Sequence, residues 1–379
     1  SPLTQGIKES NAGGTVAASL GKLGISAIVV EGQARQGEYY LLTIDAKGHA
    51  VLEPASDYRG LRTYALVEEL LRVYDEKSGV LCIGPAGEFR MASASIQSSD
   101  ADGRPCRAAG RGGLGAVMGA KNVKAVACGG KLPIELADEE SFKDVAKQQY
   151  DLLGESMLKV GFEAFGTNMV SDMVNARGGY PSRNWQQGVF EQIDEVSAQA
   201  LTDKVFVKGV NCFACPISCG RGTEIREGQW EGRSGEGPEY ETTNTLGAQC
   251  DVADMNAITM ANYLCNEYGL DTISAGSTIA FAMECYEKGI LTDEQTGGLA
   301  LKFGDGELVV SLISSIQGKS MIAVGNVVGQ RFAQRSGQSP DTAGKKPFTV
   351  DRAPLTDDCG SAFSPGYCSR YVEYTSWHA

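Results

Sequence analysis

Cys212, Cys215 and Cys219 stand in the run Asn211-Cys212-Phe213-Ala214-Cys215-Pro216-Ile217-Ser218-Cys219-Gly220, a C-x2-C-x3-C pattern. Spacing this tight lets one turn of chain aim three thiolates at a common centre, as an iron–sulfur cubane or a tetrahedral zinc ion requires. A fourth ligand then has to come from elsewhere. A zinc knuckle and three uncommitted thiols stay open as readings. Zinc sites more often pair two C-x2-C units or add histidine, and neither accompanies this run. The spacing therefore favours a 4Fe–4S cluster with a distant fourth cysteine. Histidine occurs only at His49 and His378, which argues against a mechanism built on a histidine pair.

A second group of residues suits anion binding. Arg107 to Gly119 holds five glycines and two arginines in thirteen residues. Glycines let backbone N–H groups approach an anion closely, and arginine holds phosphate with two parallel hydrogen bonds. The segment matches neither the Rossmann nor the P-loop pattern; tight packing of backbone elements is its other reading. Asn11-Ala12-Gly13-Gly14 and Gly84-Pro85-Ala86-Gly87-Glu88 are further glycine turns. In Gly237-Pro238-Glu239-Tyr240-Glu241-Thr242, two carboxylates surround a phenol, groups fit for acid–base work. A solvated acidic turn explains the same residues. Gly269 reads as a helix C-cap, with Asp271 capping the helix that follows.

These residues must be placed by the elements around them. Residues 1–130 read as β-rich, with strands expected at 25–30, 39–44, 50–52, 80–83 and 123–128 and one helix over about 61–73. From about Pro133 the pattern turns helical, with helices expected at 139–153, 253–268, 272–288 and 308–316. Between them, 176–241 reads as a long irregular stretch, a length that is uncommon unless the segment is functional. The expected fold class is α+β: a β-rich domain at 1–132, a mainly helical domain at 133–333 carrying the cysteine loop, and an irregular tail at 334–379. A large ligand would lie at the domain junction, where convergent loops can bury it.

Composition narrows the partners. With 34 Lys and Arg against 47 Asp and Glu, the formal charge is −13, which argues against nucleic acid and anionic membranes. No apolar run reaches the ~18 residues of a membrane span, and Ser1 to Gln5 shows no export signal. Eleven cysteines, an odd number, fit reduced thiols in a cytoplasm better than a disulfide framework.

Seven of these segments, in order, resemble the aldehyde ferredoxin oxidoreductase family: Ser1–Thr4, Asn11–Gly14, Gly84–Glu88, Gly110–Lys121, Cys212–Cys219, Gly237–Thr242 and Asn266–Ser274. The resemblance implies tungsten, or molybdenum, held by two pterins beside one 4Fe–4S cluster, and allows Mg2+ bridging the pterin phosphates. On it, Cys212, Cys215 and Cys219 are cluster ligands. Asn11, Ala12, Gly13 and the turn Gly110, Arg111, Gly112, Gly113 contact pterin or its phosphate. Asp271 binds a pterin edge, and Glu241 with Tyr240 faces the metal site. The implied reaction is oxidation of an aldehyde, or a related substrate, to a carboxylate, with ferredoxin or an iron–sulfur redox subunit as acceptor and an oligomer as the expected assembly. Relative to the family the chain looks incomplete at both ends. An early arginine contact, a second Asp-containing motif, a metal-site histidine and the usual fourth cysteine are not found. Cys359 is then the candidate fourth ligand, ahead of Cys368, and Asn266 replaces an Asp found in some members. A non-catalytic electron-transfer or assembly subunit and a zinc-stabilised paralogue are the alternatives.

Overall fold

The structure, a computed structural model, describes residues 9–35, 37–75, 77–129 and 136–315, together with the backbone of the short strand Arg370–Val372. Ser1–Thr4, Cys359, Cys368 and, that strand apart, the tail 334–379 lie outside the described residues. So does the expected end of the last helix at 316.

The N-terminal region is built on strands β1 (Ile25–Ile28), β2 (Tyr40–Ile44), β3 (Ala50–Pro54), β4 (Gly79–Cys82), β5 (Ile96–Ser98), β6 (Arg107–Ala109) and β7 (Val123–Cys128). Six of them form one mixed sheet in the order β3-β2-β7-β4-β5-β6, in which only β2 and β7 run parallel. All six residues of β7 are buried, as expected of a central strand covered on both faces. On one face, Leu66, Val67 and Leu70 of the helix Thr63–Val73 pack on Leu41, Val80 and Cys82. On the other, Val16 of the helix Val16–Lys22 packs with Leu42, Ile44 and Val126. Full burial of one such side chain stabilises by roughly 1.5–3 kcal/mol.

The sequence reading expected one helix here, but Val16–Lys22, Pro85–Glu88 and Leu114–Ala120 are helical as well. All three are short, and glycine hides the apolar period of the last. A Cβ on Gly119 would lie 1.9 Å from the Gly87 carbonyl oxygen, and one on Gly115 would lie 2.4 Å from that of Ser95. Close backbone packing explains those two glycines.

The second region is mainly helical. Met255–Tyr268 runs through its core with twelve of its residues buried, and Thr272–Glu287 packs alongside the helix Tyr240–Leu246. The stretch 176–241, expected to be irregular, instead contains the helix Ala198–Lys204 and an antiparallel sheet of β8 (Phe206–Val210), β9 (Gly220–Glu224) and β10 (Ser234–Glu236). Gly-Arg-Gly-Thr-Glu in β9 carries no apolar alternation, so backbone hydrogen bonding rather than side-chain pattern makes it a strand. The cysteine run is the connection between β8 and β9.

A backbone bridge joins the two regions. Ser95 N donates to Gly269 O at 2.9 Å, and Asp271 N to Ser93 O at 2.8 Å, around an antiparallel Ala94–Leu270 pairing. Beside it, Gly84 sits so close to the C-terminus of Met255–Tyr268 that a Cβ would lie 2.2 Å from Tyr268 O. Arg62 adds an ion pair to Glu267 at 2.6 Å and a hydrogen bond to the Tyr268 hydroxyl at 2.8 Å. Gly84→Ala should therefore destabilise the protein by about 1–3 kcal/mol through overpacking against backbone. Gly21→Ala, whose Cβ would meet nothing within 4 Å in an exposed helix position, should stabilise by about 0.5–1 kcal/mol. Urea midpoints of the two variants check this, and equal effects would contradict it.

Candidate functional site

Between the sheet edge at β6 and the helices lies a cavity of about 920 Å³, near the upper end of the roughly 300–1,000 Å³ of small-molecule sites. Of the ten residues the sequence reading assigned to catalysis and cofactor binding, eight line it: Asn11, Ala12, Gly13, Gly110, Arg111, Tyr240, Glu241 and Asp271. Gly112 and Gly113 are not on the lining. Gly113 adopts a left-handed conformation at φ 65° to start Leu114–Ala120, and a Cβ there would meet Ala92 O at 2.7 Å.

Two glycines make the wall. A Cβ on Gly110 would lie 2.7 Å from Asp271 Oδ1, and one on Gly13 would lie 3.1 Å from Cys212 Sγ. Any side chain at these positions would push the carboxylate or the thiol away from the N-terminal segment. Asp271 is 6% exposed and caps Thr272–Glu287, accepting from Ser274 N at 2.9 Å. Oδ2 makes the cap while Oδ1 abuts Gly110, so helix capping and cavity lining coincide in one residue.

The cysteine hairpin sits behind Gly13. Cys215 N donates to Cys212 O at 3.0 Å, and Ala214 (φ 56°) and Ser218 (φ 57°) take left-handed conformations that fold the loop on itself. Asn211 ties the two halves, donating to Cys215 O at 2.8 Å and accepting from the Ser218 hydroxyl at 3.0 Å. Burial pushes the Cys219 thiol above its ordinary value, with further increments from the charges of Glu239, Cys212 and Cys215. Among the described residues, the donor group with all ligand atoms within 4.8 Å of one another is Asp100, Cys106 and Glu236, not the three hairpin cysteines. Tetrahedral zinc with ~2.3 Å bonds would require thiolates closer than that.

The Asp100, Cys106 and Glu236 group has its own counter-charges. Arg104 holds Asp100 at 2.7 Å, the partly buried Arg107 pairs with Glu236, and the Cys106 thiol donates to Glu236 at 3.1 Å. Two guanidiniums already do what a cation would do there. Burial pushes the Cys106 thiol well up, and the charges of Glu236 and Asp100 add to this, so it is a neutral donor in the cavity wall.

The acidic segment divides into two environments. Glu241 is about half exposed and pairs with Arg111 at 3.2 Å across the cavity mouth, a contact worth at most ~1 kcal/mol in solvent. Tyr240 stacks edge-on against Tyr180 at 5.8 Å, and burial, then Glu241, raises its phenol. Glu239 lies deeper. Its Oε2 accepts from the Thr167 hydroxyl, which in turn accepts from Tyr240 N at 2.9 Å. Burial pushes the Glu239 carboxyl above its ordinary 4.5, and nearby Glu236 pushes the same way. Glu239 thus keeps its proton to higher pH than a free carboxyl, although the Thr167 hydrogen bond works against this. The sequence reading passed over it for Glu241, because alternation in Glu-Tyr-Glu does not say which carboxylate faces inward. Thr167 lies in the 3-10 turn Gly166–Val170, and no motif marked it.

The fold and the site define a class: an α+β protein whose large cavity between sheet and helices adjoins a three-cysteine hairpin. The family model for the N-terminal domain of aldehyde ferredoxin oxidoreductase matches residues 1–130, and that for domains 2 and 3 matches residues 144–343. The chain belongs to the aldehyde ferredoxin oxidoreductase family. It is 37% identical over 355 residues to the tungsten-containing aldehyde ferredoxin oxidoreductase of Thermococcus kodakarensis, covering 92% of this chain and 55% of that protein. It is 39% identical over 320 residues to the protein of that name from Pyrococcus furiosus, covering 83% and 51%. An aliphatic sulfonate oxidoreductase, WOR-like subunit, from Pyrococcus furiosus is 28% identical over 338 residues, covering 85% and 52%. Among solved structures, the active site complex BamBC of benzoyl coenzyme A reductase with 1,5 dienoyl-CoA superposes with a TM-score of 0.65 at 25% identity, covering 83% of this chain and 48% of that one. The chain spans about half the length of the curated relatives it matches. Among the described residues, no helix is long and apolar enough to cross a membrane.

The raised Glu239 carboxyl gives a pH signature. A carboxyl with a raised folded pKa contributes stability in full below its unfolded value, near 4.5, and loses it as pH rises through the folded value. On metal-free protein, Glu239→Gln should therefore gain stability over wild type as pH climbs through that window. A stability difference that stays flat with pH would contradict the assignment.

Proposed function

We propose that this chain works as an oxidoreductase of the aldehyde ferredoxin oxidoreductase type. It would oxidise an aldehyde with water to a carboxylic acid, releasing two protons and two electrons, and pass the electrons to ferredoxin or an iron–sulfur redox subunit in the cytoplasm. One observation carries the reading: the glycine-lined cavity and the cysteine hairpin touch, with Cys212 Sγ packed against Gly13. The donor chemistry fits the implied cofactors. Gly13 and Gly110 line the cavity without side chains and let Cys212 and Asp271 approach its wall, Arg107 keeps a buried Nε without a hydrogen-bond partner, and the hairpin brings three thiols to one loop.

Asn11 to Gly13, Gly110, Arg111 and Asp271 would hold the tungsten- or molybdenum-pterin, and Cys212, Cys215 and Cys219 a 4Fe–4S cluster. When bound, the two groups supply two-electron chemistry and a one-electron relay. The protein's own share is orientation and proton handling. Glu239, neutral over a wider pH range than a free carboxyl, can give or take a proton at the oxygen that Thr167 does not occupy. Arg111 and Glu241 close the mouth by a weak pair that an entering substrate can open at little cost.

Metal and acid-labile sulfide analysis of anaerobically purified protein from a tungsten-replete host tests this. About four irons and four sulfides per chain are expected, with stoichiometric tungsten or molybdenum, and Cys212→Ser should lose most of the iron. Iron without either heavy metal would indicate an electron-transfer subunit. Zinc without sulfide would overturn the redox reading.

A further inference from the structure

One guanidinium behind the cavity joins the cysteine hairpin to the helix packed beneath it. Arg221 follows Cys219 by two residues and is 1% exposed. Its Nε donates to Gly220 O at 3.0 Å and its Nη1 to Ala164 O at 3.0 Å. Its Nη2 donates to Glu163 O at 2.9 Å and to Ser218 O at 2.6 Å. The Ala164 and Glu163 carbonyls lie in the last turn of Met157–Phe165, where helix carbonyls lack intrahelical partners. Ser218 and Gly220 flank Cys219. The guanidinium carbon also sits 4.8 Å from the Phe206 ring centroid, so the side chain is held from both sides. Gly166 permits the arrangement, since a Cβ there would lie 2.8 Å from Cys219 O and 3.3 Å from Arg221 Cδ.

The charge is what needs explaining. Arginine stays protonated in proteins, and Arg107, the other arginine beside the hairpin, is neutralised by Glu236. Among the described residues no carboxylate lies within the 4.0 Å of an ion pair with Arg221; Glu239 and Glu163 act on its charge only from farther away, and its direct partners are backbone carbonyls. Sheltering an ion from water without a directly paired counter-ion is costly. An anionic group held by Cys212, Cys215 and Cys219 would supply the counter-charge.

We propose that Arg221 is a positioning residue for the iron–sulfur cluster: it fixes the Ser218–Gly220 turn and, through its charge, raises the cluster's reduction potential. The proposal rests on the iron–sulfur reading above. One-electron reduction adds one negative charge to the cluster and breaks no bond, so a fixed nearby cation stabilises the reduced form more than the oxidised one.

The test is a redox titration of the loaded protein with dithionite, followed by electron paramagnetic resonance, for wild type, Arg221→Gln and Arg221→Lys. For Arg221→Gln, the ratio of reduced to oxidised cluster at a fixed potential should fall about tenfold, equivalent to 59 mV for one electron. Arg221→Lys keeps the charge but loses the planar fork, so its ratio should stay within about twofold of wild type while its unfolding midpoint falls. An unchanged ratio in Arg221→Gln, or a tenfold fall in Arg221→Lys, would overturn the proposal. Arg221→Lys carries the test if the neutral variant does not fold. Wild-type protein that takes up no iron and sulfide would overturn the iron–sulfur reading itself, a failure separate from an unshifted potential in loaded protein.

Discussion

Ser93 to Ser95 and Gly269 to Asp271 lie side by side as a short antiparallel bridge, and two backbone hydrogen bonds at 2.8 and 2.9 Å hold it. Backbone bonds of this kind are worth only about 0.5–1.5 kcal/mol each, yet this pair fixes the register of everything around the cavity. It puts Asp271 opposite Gly110, and Gly84 against the end of Met255–Tyr268. The side chains then act as locks: Arg62 reaches Glu267 and Tyr268, and the Thr63 hydroxyl donates to Asn266 O at 2.7 Å. A shift of one residue in this bridge would move Asp271 off its glycine and open the cavity wall.

Two guanidiniums, one buried and one partly buried, organise the site from behind. Arg107 neutralises Glu236 beside the Cys106 thiol, and Arg221 fastens the cysteine turn to a helix end. The chain as a whole carries a formal charge of −13, so these cations stand out against the average field. Each is held by partners on more than one element, which converts a local charge into a constraint between elements. The same logic separates Glu239, recessed and hydrogen-bonded to Thr167, from Glu241, which faces solvent against Arg111.

Much of this was legible in the sequence where pattern and chemistry coincide. The apolar run Val123–Cys128 is the central strand, and the periodic stretch from Glu139 is a helix. Gly269 and Asp271 show their capping roles in residue type alone, because a left-handed C-cap favours glycine and an N-cap favours a short acceptor. The eight lining residues were legible through family resemblance, since their separation in sequence gives no hint of convergence. Strands β8 to β10 escaped notice because their residues are polar and glycine-rich, so their pairing is written in the backbone. Arg221 and Thr167 were missed for a related reason: their partners are carbonyls, an amide and a recessed carboxylate, none of which leaves a spacing pattern.

A fixed cavity requires the two regions to be one unit across the junction. Native-state hydrogen exchange at the Ser95 and Asp271 amides measures that directly. The structure predicts protection at both amides approaching that of the core amides of Met255–Tyr268, lost only when the whole unit opens. Exchange at the rate of an exposed turn, with the flanking helices still protected, would show that the regions separate independently and that the cavity is not a fixed site.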